Sequence, residues 1–182
     1  MIAAVVFVVG SVPIVWLSRR SFFRPAYHGF PRFFAFEAIL ALLVLNAPYW
    51  FVRPFGVPQL ASWLLLSVSV VLIVWSSLLL RRFGQPRPIS GESPMFELEN
   101  TERLVTTGIY RYIRHPMYAS LLFLAWGVLL KSISIGTVVL AGIATIALMA
   151  TAKAEEAEDR VRFGQAYGEY MKRTHRFVPF LV

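Results

Sequence analysis

A chain of 182 residues is long enough for one domain of ordinary size and no more. Apolar residues make up 57 % of it and charged residues 15 %, against about 45–50 % and about 25 % in soluble domains. With a mean hydropathy of +0.62, so little polar surface excludes a soluble globule and points to an integral membrane protein. The absence of cysteine excludes disulfides, thiolate metal sites and cysteine nucleophiles. The net charge of +8 is spread over segments flanking apolar runs, where it sets topology, rather than gathered into a nucleic-acid patch.

Taken in order, Met1 to Ser18 is apolar and ends at Arg19-Arg20. It lacks a basic n-region and a small-residue cleavage site, so it reads as a retained helix, kinked at Pro13, rather than a signal peptide. Residues 19–32 form a basic loop punctuated by Pro and Gly. A second span is expected over about 33–52, with Glu37 one turn inside it and needing a partner, Arg32 or Arg24 in the interfacial reading. Asn46 and Pro48 fit a helix–helix hydrogen bond and a kink. After Arg53-Pro54-Phe55-Gly56 a third span runs over about 57–80. Its serines Ser62, Ser67, Ser69, Ser76 and Ser77 suit close packing or back-bonding to carbonyls.

Arg81-Arg82 closes that span, and residues 83–109 form one long polar loop broken by Pro86, Pro88, Gly91 and Pro94. Loops of that length in small proteins are functional or disordered; its later part, Phe96 to Val105, suits the membrane surface. Residues 116–152 are again apolar, interrupted at Lys131-Ser132-Ile133-Ser134. One helix of that length overshoots a bilayer core about 30 Å thick, so a hairpin with arms 116–130 and 134–152 is expected. The tail, 153–182, reads as a charged helix limited by Pro179. In it Phe163, Ala166, Tyr167 and Tyr170 share one face, and Glu156–Arg160 and Glu158–Arg162 form i,i+4 pairs. The expected fold is therefore all-α: a single membrane domain of about five spans (three within 1–82), a cytoplasmic loop 83–115, the hairpin and a cytoplasmic tail helix. All 18 basic residues except Arg53 and Lys131 then fall on one side, which places the N-terminus outside and the C-terminus in the cytoplasm.

That topology gathers the 83–109 loop, the cluster Arg111 to Tyr118 and the acidic run Glu155-Glu156-Ala157-Glu158-Asp159 on the cytoplasmic face. The hairpin brings His115 close to Glu155, giving a zwitterionic pocket suited to a ligand with an ammonium, a carboxylate and hydroxyls. Each part also has a plainer reading. Arg111 and Arg114 serve as interfacial anchors, Tyr110, Tyr112 and Tyr118 as an aromatic belt, His115-Pro116 as a helix start, and the acidic run as a solvated face. Histidines at 28, 115 and 175 show no metal-ligand spacing, so no metal is expected.

Gly108-x-Tyr110-x-x-x-Arg114-His115-Pro116-x-Tyr118 followed by a hairpin resembles the signature of the isoprenylcysteine carboxyl methyltransferase family. Glu155-Glu156, Phe163-Gly164-x-x-Tyr167-x-x-Tyr170 and Arg176-Phe177-x-Pro179 continue the likeness, which covers about residues 101–180. The same C-terminal pattern extends to phospholipid N-methyltransferases, thiol methyltransferases and some membrane sterol reductases. The resemblance implies S-adenosylmethionine bound from the cytosol and a lipophilic acceptor entering from the bilayer. By analogy, Glu155 holds the cofactor's ammonium or a ribose hydroxyl, and His115 its carboxylate by a charge-assisted hydrogen bond. Tyr110 and Tyr118 face the sulfonium, Glu102, Leu104 and Val105 cover the adenosine, and Pro116 and Met117 complete the motif. Glu156, as base or cation-holder, and Arg114 are the catalytic candidates. The isoprenylcysteine branch is expected to carry an arginine at position 151 and leucine at 159; here stand Thr151 and Asp159, leaving carboxylate, amine and other lipophilic acceptors open. The competing classes are a nicotinamide-dependent membrane reductase of the sterol-reductase type and a non-catalytic membrane subunit.

Overall fold

The computed structural model describes residues 1–23, 27–52, 54–86 and 100–178. Arg24, Arg53, Pro179 and the Pro/Gly-punctuated stretch 87–99, to which several of the expectations above refer, lie outside these. The described chain is all-helical: α1 Ile2–Ser18, α2 Gly29–Asn46, α3 Val57–Leu79, α4 Pro116–Leu129, α5 Ile135–Phe163 and α6 Gln165–Arg173. Two isolated bridges are the only β pairing among the described residues. Among the described residues, three helical stretches are long and apolar enough to cross a membrane, Gly29–Tyr49, Val57–Gly84 and Ile135–Phe163; α1 and α4 are shorter apolar helices.

Packing follows small residues. α2 lies against α5, α3 against α4, and α1 against α2. The α2–α5 seam joins Ala35, Ala38 and Leu42 to Ala141, Ala144, Leu148 and Ala152, all buried. Without a hydrophobic drive between helices in lipid, such close approach of backbones is what gives van der Waals adhesion. Across the α3–α4 seam Ser62 Oγ donates to the Gly127 carbonyl at 2.6 Å and Ser69 Oγ to the Ser120 carbonyl at 2.7 Å. Ser76 instead bonds back to the Leu72 carbonyl of its own helix. The expected serine roles are thus both present.

Four local expectations change. α2 starts at Gly29, four residues before the expected start, because Pro31 sits in its first turn, where a missing N–H costs nothing. Asn46 donates to the Leu42 carbonyl of its own helix rather than to a neighbouring one, and a short 3₁₀ turn, Ala47–Tyr49, absorbs Pro48. Glu37 accepts the Ser11 hydroxyl of α1 at 2.7 Å, a partner from the neighbouring helix instead of an interfacial arginine. Finally, α5 does not end near residue 152. Strong helix formers, Ala-Lys-Ala-Glu-Glu-Ala-Glu-Asp-Arg, carry it on to Phe163, and Gly164, at φ +58°, breaks it. At 1.5 Å per residue, 29 residues span about 43 Å, so the acidic run stands on a helix that continues beyond a hydrocarbon core about 30 Å thick.

At the other end of the hairpin, α5 opens with a capping box between Ser134 and Thr137. Lys131, 5 % exposed, donates to Gln59 Oε1 at 2.9 Å and lies 3.4 Å from the Trp63 ring centroid. The tip cation is therefore held by an amide and a π face.

Gly108, at φ +61°, carries the turn into the signature, and a Cβ there would fall 2.6 Å from Leu79 Cδ1. An L-residue in this region costs about 1–2 kcal/mol. Gly108→Ala therefore lowers the thermal midpoint by several degrees. Gly168→Ala, in α6 with open space at its Cβ, leaves the midpoint unchanged or raises it; equal midpoints for the two variants would refute the assignment.

Candidate active site

The site is assembled where the ends of α3, α4 and α5 meet the tail. α3 ends in a wide turn, Leu80–Gly84, and Gln85 adopts left-handed backbone geometry. After residues 87–99 the chain returns to the same place. Pro86 bridges Thr101, and the backbone N–H groups of Glu102 and Arg103 donate to the Gly84 carbonyl at 2.9 and 3.2 Å. A Cβ on Gly84 would meet Thr101 Cγ2 at 2.7 Å, so glycine permits this close clasp. It presents Leu104 and Val105 to the interior.

The signature then forms a 3₁₀ turn, Gly108–Arg111, and His115 caps α4 with Pro116 at its first position. Beyond α6 the tail runs back along the signature. Arg114 N–H donates to the His175 carbonyl at 2.8 Å, His115 N–H to the Arg176 carbonyl at 3.1 Å and His175 N–H to the Tyr112 carbonyl at 3.0 Å. Tyr170 Oη donates to the Tyr110 carbonyl at 2.7 Å. The two halves of the motif, sixty residues apart in sequence, are joined by main-chain hydrogen bonds.

The acidic run of α5 spreads around this junction. Glu156, with its side chain 6 % exposed, accepts from Arg114 Nε at 2.9 Å and from Arg176 Nε and Nη2 at 3.1 and 2.7 Å. Arg114 also donates through Nη1 to the Thr174 carbonyl. Glu158 takes both the backbone N–H and the Nδ1 of His28, at 2.9 and 2.8 Å. The expected surface pairs Glu156–Arg160 and Glu158–Arg162 give way to these. An exposed i,i+4 pair is worth only about 0.3–0.5 kcal/mol, and a buried charge requires closer partners. Glu155 Oε2 lies 3.5 Å from His115 Nδ1, and Glu156 Oε1 lies 3.5 Å from His115 Nε2. Both distances suit ion pairing, but Nε2 makes no hydrogen bond among the described residues. Burial acts to lower the His115 pKa, yet the Glu155 and Glu156 carboxylates outweigh it and hold it above 6.5. Tyr118 stacks on the imidazole with centroids 5.5 Å apart.

Part of this junction lines a pocket of about 80 Å³. Of the residues expected from sequence, Leu104, Val105, Tyr110, Arg114, His115, Pro116, Met117, Tyr118 and Glu155 line it. Glu102 and Glu156 do not: Glu102 is exposed in the clasp beside α3, and Glu156 lies behind the wall among its arginines. The lining also includes Leu80, Thr101, Asp159, Phe163, Tyr167 and Tyr170. Asp159 follows Glu155 by four residues, so helical periodicity puts both on one face. Tyr167 and Tyr170 belong to the aromatic face recognised in the tail. Leu80 carries no sequence signal beyond its place at the end of a span.

Residues 57–166, more than half of the chain, match the model of the family described as phospholipid methyltransferase. The match runs from the first residue of α3 to the second of α6 and takes in all of the lining except Tyr167 and Tyr170. No curated protein and no solved structure matches the chain.

Proposed function

The chain belongs to the phospholipid methyltransferase family of integral membrane methyltransferases, and from that premise we propose that it transfers a methyl group from S-adenosylmethionine to a lipophilic acceptor drawn from the bilayer. The observation that carries the reading is the pairing of His115 and Glu155 across one pocket, 3.5 Å apart and drawn from opposite ends of the hairpin. A carboxylate and an imidazole on one pocket wall match a ligand that bears both an ammonium and a carboxylate.

The donor set fits the cofactor. Glu155 takes its ammonium, and His115 donates to its carboxylate as a charge-assisted bond. Tyr110 and Tyr118 offer π faces to a sulfonium, and Leu104 and Val105 give the apolar contact an adenine needs. When bound, the cofactor supplies an activated methyl group. The chain's task is then alignment and exclusion of water, more than strong acid or base chemistry. The clasp at Gly84–Thr101 and the strap of α6 supply walls for that enclosure. In this reading α1 and α4 complete five spans, the pocket faces the cytoplasm, and the positive side of the charge distribution is the cytoplasmic one.

Calorimetry on the detergent-solubilised protein tests the reading. S-adenosylhomocysteine binds with one site per chain, and NADPH does not bind. Binding of NADPH in place of S-adenosylhomocysteine would overturn it in favour of reductase chemistry.

A further inference from the structure

Successive residues of an α-helix are rotated by roughly 100°, so the acidic run on α5 points in three directions. Glu155 and Asp159 share the face that lines the pocket. Glu156, one residue after Glu155, turns to one side, where Arg114 and Arg176 hold it. Glu158, one residue before Asp159, turns to the other side and meets His28. The pocket face is bracketed by two ties, and a tie on either side fixes the rotation of the helix about its own axis.

The Glu156 tie belongs to the signature and the tail. The Glu158 tie comes from elsewhere: His28 stands directly before α2, outside the residues 57–166 that match the family. α2 has no acidic residue in its first turn and no side-chain cap of its own. Glu158 supplies both from another helix. It accepts the His28 backbone N–H at 2.9 Å, as a capping-box glutamate does, and sets a negative charge at the positive end of α2. Its second oxygen accepts from His28 Nδ1 at 2.8 Å, and the His28 side chain is fully buried. Glu158 lies six residues beyond Ala152, and His28 seven before Ala35. The pair thus continues the α2–α5 seam about 10 Å past its apolar part, beside the stretch of α5 that carries the pocket carboxylates. Hydrogen bonds to an ionised acceptor are roughly twice as strong as neutral ones, which suits this contact to hold a helix end that projects beyond the hydrocarbon core.

We propose that His28 is a positioning residue for the cofactor half-site: acting through Glu158, it sets the rotation of the α5 extension and so keeps Glu155 aimed into the pocket opposite His115. This rests on the methyltransferase reading and deepens it, giving the N-terminal helix pair, which the family match does not reach, a part in binding.

The full chain in detergent is compared with its variants by titration with S-adenosylhomocysteine and by thermal unfolding. His28→Leu fills similar space without a donor, His28→Asn offers an amide N–H where Nδ1 stood, and Glu158→Gln keeps the shape of the acceptor but not its charge. H28L and E158Q each lose at least fivefold in affinity, and the double variant loses no more than H28L alone. H28N stays within twofold of the wild type. A purely structural His28 would lower the thermal midpoint in H28L and H28N alike and leave the affinity of the folded protein unchanged; that result overturns the proposal. Nitroxide labels on Thr106→Cys and Val161→Cys, exposed positions in a chain without native cysteine, give a reading that needs no ligand. The interspin distance distribution shifts or broadens in H28L and is restored in H28N, and an H28L distribution identical to that of the wild type also overturns the proposal. A wild type that binds no S-adenosylhomocysteine strikes the methyltransferase reading, and the spin distances then decide the positioning role by themselves.

Discussion

Glu156→Ala destabilises the protein by about 3–5 kcal/mol, the cost of truncating one partner of a buried charge pair and leaving the other uncompensated. Here two guanidinium groups are left, those of Arg114 and Arg176, and Arg114 is itself nearly buried. The loss is felt at the junction between signature and tail, because Glu156 on α5 is the point where both arginines converge. Thermal unfolding followed by tryptophan fluorescence shows a drop on the order of 10 °C. Trypsin then cuts at Lys172 and Arg173, at the end of α6, under conditions in which the wild type is spared. A Glu156 that served only as a chemical base would leave both measurements untouched while abolishing turnover; that outcome would remove the structural role argued for it. Arg176→Ala is milder, since this side chain is partly exposed and Arg114 still neutralises Glu156.

The same carboxylate shows where sequence reasoning reaches its limit. Hydropathy and the positions of basic residues locate the apolar helices, because a membrane helix must satisfy its own backbone and its ends must meet water. The signature and the acidic run are visible as polar islands beside those helices, and the hairpin between them is enough to place His115 near Glu155. What Glu156 would bond to is not visible. Arg160 is its natural neighbour by helical spacing, but the tail brings Arg176 back across the signature, and a contact of that range leaves no local pattern. Gly164 is a similar case. Phe163, Ala166, Tyr167 and Tyr170 have the periodicity of one continuous helix, yet the glycine turns the chain between Phe163 and Gln165. The aromatic face survives the break because both sides of it fold onto one cavity. The boundary after residue 152 is the opposite case: a change to charged residues marks where a helix leaves lipid, whereas helix propensity decides where it ends, here at Phe163. Asp159 was legible as a departure at its position and as a neighbour of Glu155 on one face, but its exposure to the pocket depends on how α6 packs.

Wild-type affinity for S-adenosylhomocysteine falls as pH rises above 6.5, and Glu155→Ala loses most of it at every pH. His115 is the reason for the pH dependence. Its imidazole is buried, which disfavours the charged form, but the Glu155 and Glu156 carboxylates at 3.5 Å hold its pKa above 6.5. The folded protein therefore binds this proton more tightly than the unfolded chain does. The resulting stabilisation is complete below pH 6.5 and is lost as pH rises through the higher folded value. The charge-assisted bond from His115 to a ligand carboxylate follows the same course, because deprotonation leaves a neutral ring between two carboxylates. Hydrogen bonds to charged groups contribute about 1.5–3 kcal/mol, so roughly tenfold or more in affinity goes with the proton. His115→Asn keeps a polar side chain that cannot ionise; it binds S-adenosylhomocysteine weakly and without pH dependence from pH 5.5 to 9. Glu155→Ala removes the group facing the ligand's ammonium and also one of the two carboxylates that raise the His115 pKa. Its residual binding therefore declines at lower pH than that of the wild type. Calorimetric titrations at a series of pH values separate the two effects: a wild-type profile flat across pH 5.5–9, or an H115N profile that falls as the wild type does, would remove His115 from the ligand's carboxylate and move the zwitterion elsewhere in the pocket.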